Sequence, residues 1–250
     1  MFSKKRGDCI GDKGVDMLLR RWMMMLLLTL SLSPLYGING YAALLEKYVD
    51  RRGGVHYAAL IRDPLVELVY RRFQIALQRP EKGMKHKALL LNSYNFFVLY
   101  RVRKFYPLQR VTSVKDFFTA RFIPYRGQKI SLNHLEKRIL FRLYPDPLLH
   151  FALTCAAKSC PPLRRQPYSG SGLQSQLARR ARSFLRSKEG TCQRGLLLSV
   201  SRLFLWYKKD FGGNDRGIRR FLRQYSGIPQ KRLSLYRIDF LDYNWSLNNR

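Results

Sequence analysis

The stretch from Lys85 to Tyr106 constrains the fold more than any other part of the chain. Leu89, Leu90, Leu91, Tyr94, Phe97, Val98 and Val102 recur at helical spacing, and Pro107 ends the run. The apolar positions cover much of the circumference, which predicts a central helix buried on nearly every side. Such a helix needs partners on several sides. Tyr41–Val49 has helical apolar spacing and ends at the turn signal Gly53-Gly54. Pro64 suits the first turn of a helix through Leu65, Leu68, Val69 and Phe73. A short helix is expected around Val114–Phe118, and Ser131 is placed as an N-cap with His134 three positions on. Gly170-Ser171 precedes a helix through Leu173, Leu177, Ala181 and Leu185, and Gly212-Gly213-Asn214 precedes one from Asp215 to Tyr225. Leu196–Val200, leading into Arg202–Lys208, and Tyr236–Phe240 read as strands. The expected class is a helix-rich α+β single domain with a small sheet. At 250 residues the chain is long enough for one substantial core.

The first 42 residues read differently. Arg20-Arg21 precede the apolar run Met23–Leu32, followed by Ser33-Pro34 and small residues near Gly37 and Gly40. A positive start, a run of about ten apolar residues and a small, polar end form the pattern of a secretory signal. The run is short against the roughly 20 residues that a membrane span needs. The expected organisation is therefore an extension and signal over residues 1–42 and one globular domain over 43–250, exported to the periplasm or the extracellular space.

Chemistry concentrates in His150-Phe-Ala-Leu-Thr-Cys155-Ala-Ala-Lys-Ser-Cys160-Pro161-Pro162, directly after Pro145-Asp-Pro147. Cys and His together can form a nucleophile and its base, a metal site or a redox pair, and the sequence leaves these open. The spacing narrows the geometry. His150, Cys155 and Cys160 lie five positions apart, so on a strand neighbours face opposite ways and on a helix they sit about 140° apart. They converge only if the chain turns within Ala156–Ser159 or if partners come from elsewhere. Ser159 is expected to cap a short helix starting at Cys160, which would favour a thiolate there, with Lys158 and Arg164 acting in the same sense. Asn92 and Asn95 lie on the apolar central helix, where a buried amide demands partners. Either can orient His150 or donate to an oxyanion; the alternative is that both pin neighbouring loops. Cys155, Cys160 and Cys192 would remain after signal removal, and one pair of them can form a disulfide. His-x4-Cys-x4-Cys is not a zinc spacing, so no metal and no cofactor is expected.

Lys and Arg number 47 against 16 Asp and Glu, a net charge of +31. Residues 1–42 hold only six of the former and three of the latter, so the charge belongs to the domain. Such a field attracts polyanions and anionic membrane surfaces without selectivity. Neither helix-turn-helix, zinc-finger nor RNA-binding-sheet motifs occur, so sequence-specific nucleic-acid reading is not expected.

Several segments in order carry a resemblance: Asn92-Ser-Tyr94-Asn95, Ser131-Leu132 with Leu135-Glu136, His150 to Cys155 with Ser159-Cys160-Pro161-Pro162, Trp206-Tyr207, Asp210-Phe211, and Tyr243-Asn-Trp245-Ser-Leu247-Asn248. The chain resembles the bacterial family called domain of unknown function 547 over roughly Leu44 to Asn248. The resemblance implies an exported protein and no established general activity. It departs from the family at His56, where Asp is usual, at Lys137, where His often follows Glu, and at Leu148, a common Arg position. If the missing His served as a base, His134 is a candidate replacement. Two readings follow. One is a cysteine-centred hydrolase or acyl transferase built from Cys160 or Cys155, His150 and Asn95 or Asn92. The other is a non-catalytic cell-envelope protein held to polyanions by charge.

Overall fold

The computed structural model describes residues 34–79 and 82–250; the signal-like run Met17–Leu32 and Cys9 lie outside the described residues. Its centre is the long helix anticipated from the apolar run. Helices α1 (Pro34–Tyr48) and α2 (Leu65–Ala76) pack against each other, and α2 packs on α3 (Gly83–Phe105). In α3, Leu90, Leu91, Phe97, Val98 and Val102 have no measurable exposure. Burying each such side chain contributes about 1.5–3 kcal/mol. Phe96 and Phe97 carry the contact with α2 through Phe73, whose ring stacks on Phe96 at 5.1 Å. His86 is buried on the same helix with its Nδ1 3.0 Å from Tyr144 Oη.

Beyond α3 the chain forms a hairpin of β1 (Ile123–Tyr125) and β2 (Gln128–Ile130), pairing Ile123 with Ile130. Its two-residue turn, Arg126-Gly127, has positive φ at both positions, the geometry that matches strand twist. No alternation longer than three residues announces this hairpin. The helix expected over Val114–Phe118 is instead a single 3-10 turn, Val111–Ser113, followed by turns. Ser131 Oγ accepts from His134 N at 3.1 Å, as expected of a cap. The helix it starts is wound as a π-helix over His134–Leu140.

The C-terminal half contributes α4 (Leu173–Leu185), α5 (Asp215–Tyr225) and a three-stranded sheet. In that sheet β3 (Thr191–Arg194) and β4 (Leu197–Val200) are antiparallel, and β5 (Arg237–Phe240) runs parallel to β4 with Leu197 opposite Arg237. Asn214 caps α5 by accepting from Gly217 N at 3.0 Å. A second aromatic cluster of Phe151, Phe204, Phe211 and Phe221 joins these elements, with Phe151 and Phe221 stacked at 5.3 Å. The class is the expected helix-rich α+β, with two small sheets. Among the described residues, no helix is long and apolar enough to cross a membrane.

Candidate functional site

Pro147–Phe151 forms a 3-10 helix whose start is capped by Asp146, and the chain then runs without regular secondary structure to Cys155. This irregular piece is held by α3. Asn95 donates to Ala152 O and accepts from Thr154 N, both at 2.9 Å and both buried. One turn away, Asn92 brackets Tyr168 in the same manner, at 2.8 and 2.9 Å. Each amide therefore commits one N–H and its oxygen to backbone. Neither bonds His150, so the orienting role expected of Asn92 and Asn95 gives way to positioning of the chain.

The turn required by the spacing is present. Ala156 has φ +62°, left-handed for a residue with a Cβ, and Cys160 N donates to Ala157 O at 3.1 Å. Such a conformation costs about 1–2 kcal/mol and persists only where surroundings enforce it. The enforcing element is the C-terminal segment. Asn248 N donates to Ala156 O, Lys158 N to Ser246 O and Ser159 N to Asn244 O, while Asn244 N donates to Ser159 Oγ. Ala157 and Leu247 form an antiparallel bridge. No helix begins at Cys160, where the backbone is a bend, so a helix terminus is not what tunes a thiol here.

The turn sets the two thiols side by side, and both are free. Cys155 N donates to Cys160 Sγ, and Cys155 Sγ lies 3.1 Å from Tyr243 Oη. Burial opposes ionisation of Cys155, but hydrogen bonds from Cys160, Tyr243 and the Ala157 N–H outweigh it and lower its pKa. Burial, reinforced by the bond to Cys155, holds the Cys160 pKa well above the thiol range. Of the two thiols, Cys155 is therefore the one that gives up its proton more readily, and Cys160 the one that retains it. Lys158 and Arg164 are not among the groups that set either thiol.

His150 occupies a different place from that expected. Its Nε2 is 2.8 Å from Asp210 Oδ2, and its ring is sandwiched by Phe141 at 4.3 Å and Tyr207 at 3.9 Å. Among the described residues it forms no hydrogen bond with Cys155 or Cys160. Burial lowers its pKa to about 4 despite the opposing pull of Asp210, so the ring is neutral at pH 7 and donates to the carboxylate. Asp210 serves the imidazole.

A carboxyl group, Glu136, is carried by the π-helix into the lining of the thiol cavity. Its carboxylate is buried, and burial raises its pKa although hydrogen bonds from Tyr207 and Tyr94 and the charge of Lys137 oppose this. Tyr207 donates to Glu136 Oε1 at 2.9 Å across 71 positions of sequence. Cys155, Cys160, Glu136, His150 and Tyr207 line one cavity of about 190 Å³ with Tyr94, Tyr243, Trp206 and Trp245. Trp206 and Trp245 stack at 5.7 Å, and Tyr243 packs on both. Spacing alone could not reveal Glu136, Tyr207 and Tyr243. Their only sequence signal is membership of the motifs quoted above. Lys137 is exposed and lines an adjoining groove with Lys208, Lys209 and Asp210. His134 lines neither the cavity nor the groove. His56 is exposed and Leu148 buried. Among the described residues, no three His, Cys, Asp or Glu side chains gather as a metal-binding set.

A helix-rich α+β domain with a paired-thiol cavity beneath a strained turn is the class that fold and site define. Residues 80–185 match the family described as "Protein of unknown function, DUF547". The matched segment contains Asn92, Asn95, Glu136, His150, Cys155 and Cys160, whereas Tyr207, Asp210 and Tyr243 lie C-terminal to it. No curated protein and no solved structure matches the chain.

The depressed His150 pKa carries a signed prediction. In the unfolded chain the imidazole titrates near 6.5, so between there and about 4 the unfolded state binds more protons and stability falls with acidification. Full loss amounts to about 3 kcal/mol. Raised Glu136 works oppositely: its contribution is complete at low pH and fades as pH rises. His150→Phe, which keeps the stack, should flatten the acid limb, read by urea unfolding at pH 7 and 4.5. An unchanged difference between the two pH values would refute the assignment.

Proposed function

We propose that the cavity is a covalent acyl-transfer site in which Cys155 is the nucleophile. The observation that carries this reading is the division of labour between the thiols: Cys155 is half-buried at the cavity with a lowered pKa, and Cys160 is buried and protonated. Glu136 supplies the acid–base function, since a carboxyl with raised pKa holds a proton closer to neutrality. The Cys155 thiolate adds to an acyl carbonyl, forming an S–C bond. The tetrahedral intermediate collapses by breaking the bond to the leaving group, which takes the proton of Glu136. The resulting carboxylate then removes a proton from water or another acceptor, whose oxygen or nitrogen adds to the thioester. Thiolate departs, and Glu136 is again protonated. His150 acts as a positioning residue, bracing Tyr207, which in turn fixes Glu136. The Trp206–Tyr243–Trp245 wall offers an apolar surface to the acyl part.

p-Nitrophenyl acetate tests the scheme with the full chain. Mass spectrometry should find an acetyl group on Cys155, absent in Cys155→Ala, and Glu136→Gln should let the adduct accumulate by slowing its breakdown. Acetylation confined to lysines, or unaffected by Cys155→Ala, would refute the reading. That result would leave a non-catalytic binding protein as the surviving class.

A further inference from the structure

A second pocket lies in the N-terminal half and shares no lining residue with the thiol cavity. It has a volume of about 680 Å³ and is bordered by Arg101, Arg103, Lys104, Arg121 and Lys129, together with Tyr70, Tyr100, Phe122 and Ile61. Five cations therefore converge on one concavity, which concentrates a positive field more than a scattered charge does. Two carboxylates approach this group. Glu67 pairs with Arg103 and accepts from Tyr100 Oη, and Asp116 acts on Arg101 through its charge.

Arg101 distinguishes this pocket from the rest of the basic surface. It is only 6% exposed. Its guanidinium is lodged among Phe105, Phe117 and Phe122 at 4.8–5.7 Å, and Nη2 donates to Asp116 O at 3.1 Å. Among the described residues its Nε has no hydrogen-bond partner. A buried, unpartnered N–H on a charged group costs roughly 1–3 kcal/mol. The side chain is nonetheless held in one geometry, before any ligand arrives, by the rings around it. An arginine fixed in this way presents a planar donor set suited to a tetrahedral anion. Lys104, Arg121 and Lys129 stand exposed at the same pocket. The stacked Tyr70–Tyr100 pair, 4.6 Å apart, forms its aromatic wall.

We propose that this pocket binds a ligand carrying phosphate groups with at least two negative charges. Arg101 anchors one phosphate, and the exposed cations hold the remaining charge. The ligand is either a free phosphorylated molecule or a phospholipid headgroup, and the two are separable by experiment.

The full chain is titrated with inorganic pyrophosphate by calorimetry and tested for co-sedimentation with phosphatidylcholine vesicles containing or lacking phosphatidylglycerol. Arg121→Ala/Lys129→Ala removes two exposed pocket cations without touching the core. Arg216→Ala/Arg220→Ala removes the same charge from α5, where both residues are exposed. Saturable pyrophosphate binding that weakens about tenfold or more in the pocket variant, and little in the α5 variant, upholds the site for a free ligand. Vesicle binding that depends on phosphatidylglycerol and is lost in the pocket variant alone upholds it for a headgroup. Equal losses in both variants overturn the proposal, as does failure of both probes to bind, because charge alone would then account for the surface.

Discussion

Iodoacetamide should alkylate Cys155 at pH 6.5 well ahead of Cys160 and of Cys192, the half-buried thiol on β3. The expectation follows from where the proton resides. Cys160 and Tyr243 both donate toward Cys155 Sγ and favour its thiolate, the form that attacks an alkylating reagent. Cys160 itself is buried and its pKa is raised, so it should stay unmodified in the folded protein. Each unit of pKa changes the thiolate fraction at low pH about tenfold. Cys160→Ala removes one donor and should slow Cys155 alkylation about tenfold, and Tyr243→Phe should act in the same direction. Cys160→Ser keeps a hydroxyl donor and should restore most of the rate, which a purely structural effect of the cysteine would not do. Peptide mapping after timed quenching reads all three sites in one experiment. Alkylation of Cys155 that appears only near pH 8.5, or no faster than that of Cys192, would remove the physical basis of the proposed nucleophile.

Asn95→Ala should be the most damaging single substitution in the support of the site. It strips the partners from Ala152 O and Thr154 N, both buried, without replacing them by water. Two unpaired backbone groups cost about 1–3 kcal/mol each, so a loss of roughly 2–6 kcal/mol is expected in urea unfolding. The loosened chain leads straight into Cys155, so the protected Cys160 thiol should also become reactive at denaturant concentrations where the wild-type protein is still folded. A stability change within about 0.5 kcal/mol, the range of ordinary surface substitutions, would show that Asn95 does not hold this segment.

These results bear on what could be read before folding. The central helix was legible because its signal is local: apolar residues at helical spacing, a proline stop, and a pattern too broad for one exposed face. The Ser131 cap, the glycine-led starts of α4 and α5, and strands β4 and β5 were legible for the same reason. The β1–β2 hairpin was not, because three-residue strands lack enough alternation to stand out. Nor was the π-helix, which differs from an α-helix in winding and not in its apolar pattern.

By itself the sequence determined the position of the chemistry along the chain, and the five-residue spacing determined that a turn had to lie within Ala156–Ser159. Only the tertiary structure decided who meets whom. Asn92 and Asn95 read equally as catalytic or structural amides until their donors and acceptors were seen bound to backbone. His150 read as the obvious base, yet its ring is bonded to Asp210, 60 positions away. The group bonded to a thiol is Tyr243, reaching Cys155 across 88 positions, and Glu136 joins the lining of the same cavity. The physical reason is one of range. Periodicity, caps and turns are set by neighbours a few residues apart, whereas a thiol pKa depends on burial and on hydrogen-bond donors that only chain folding brings within about 3 Å.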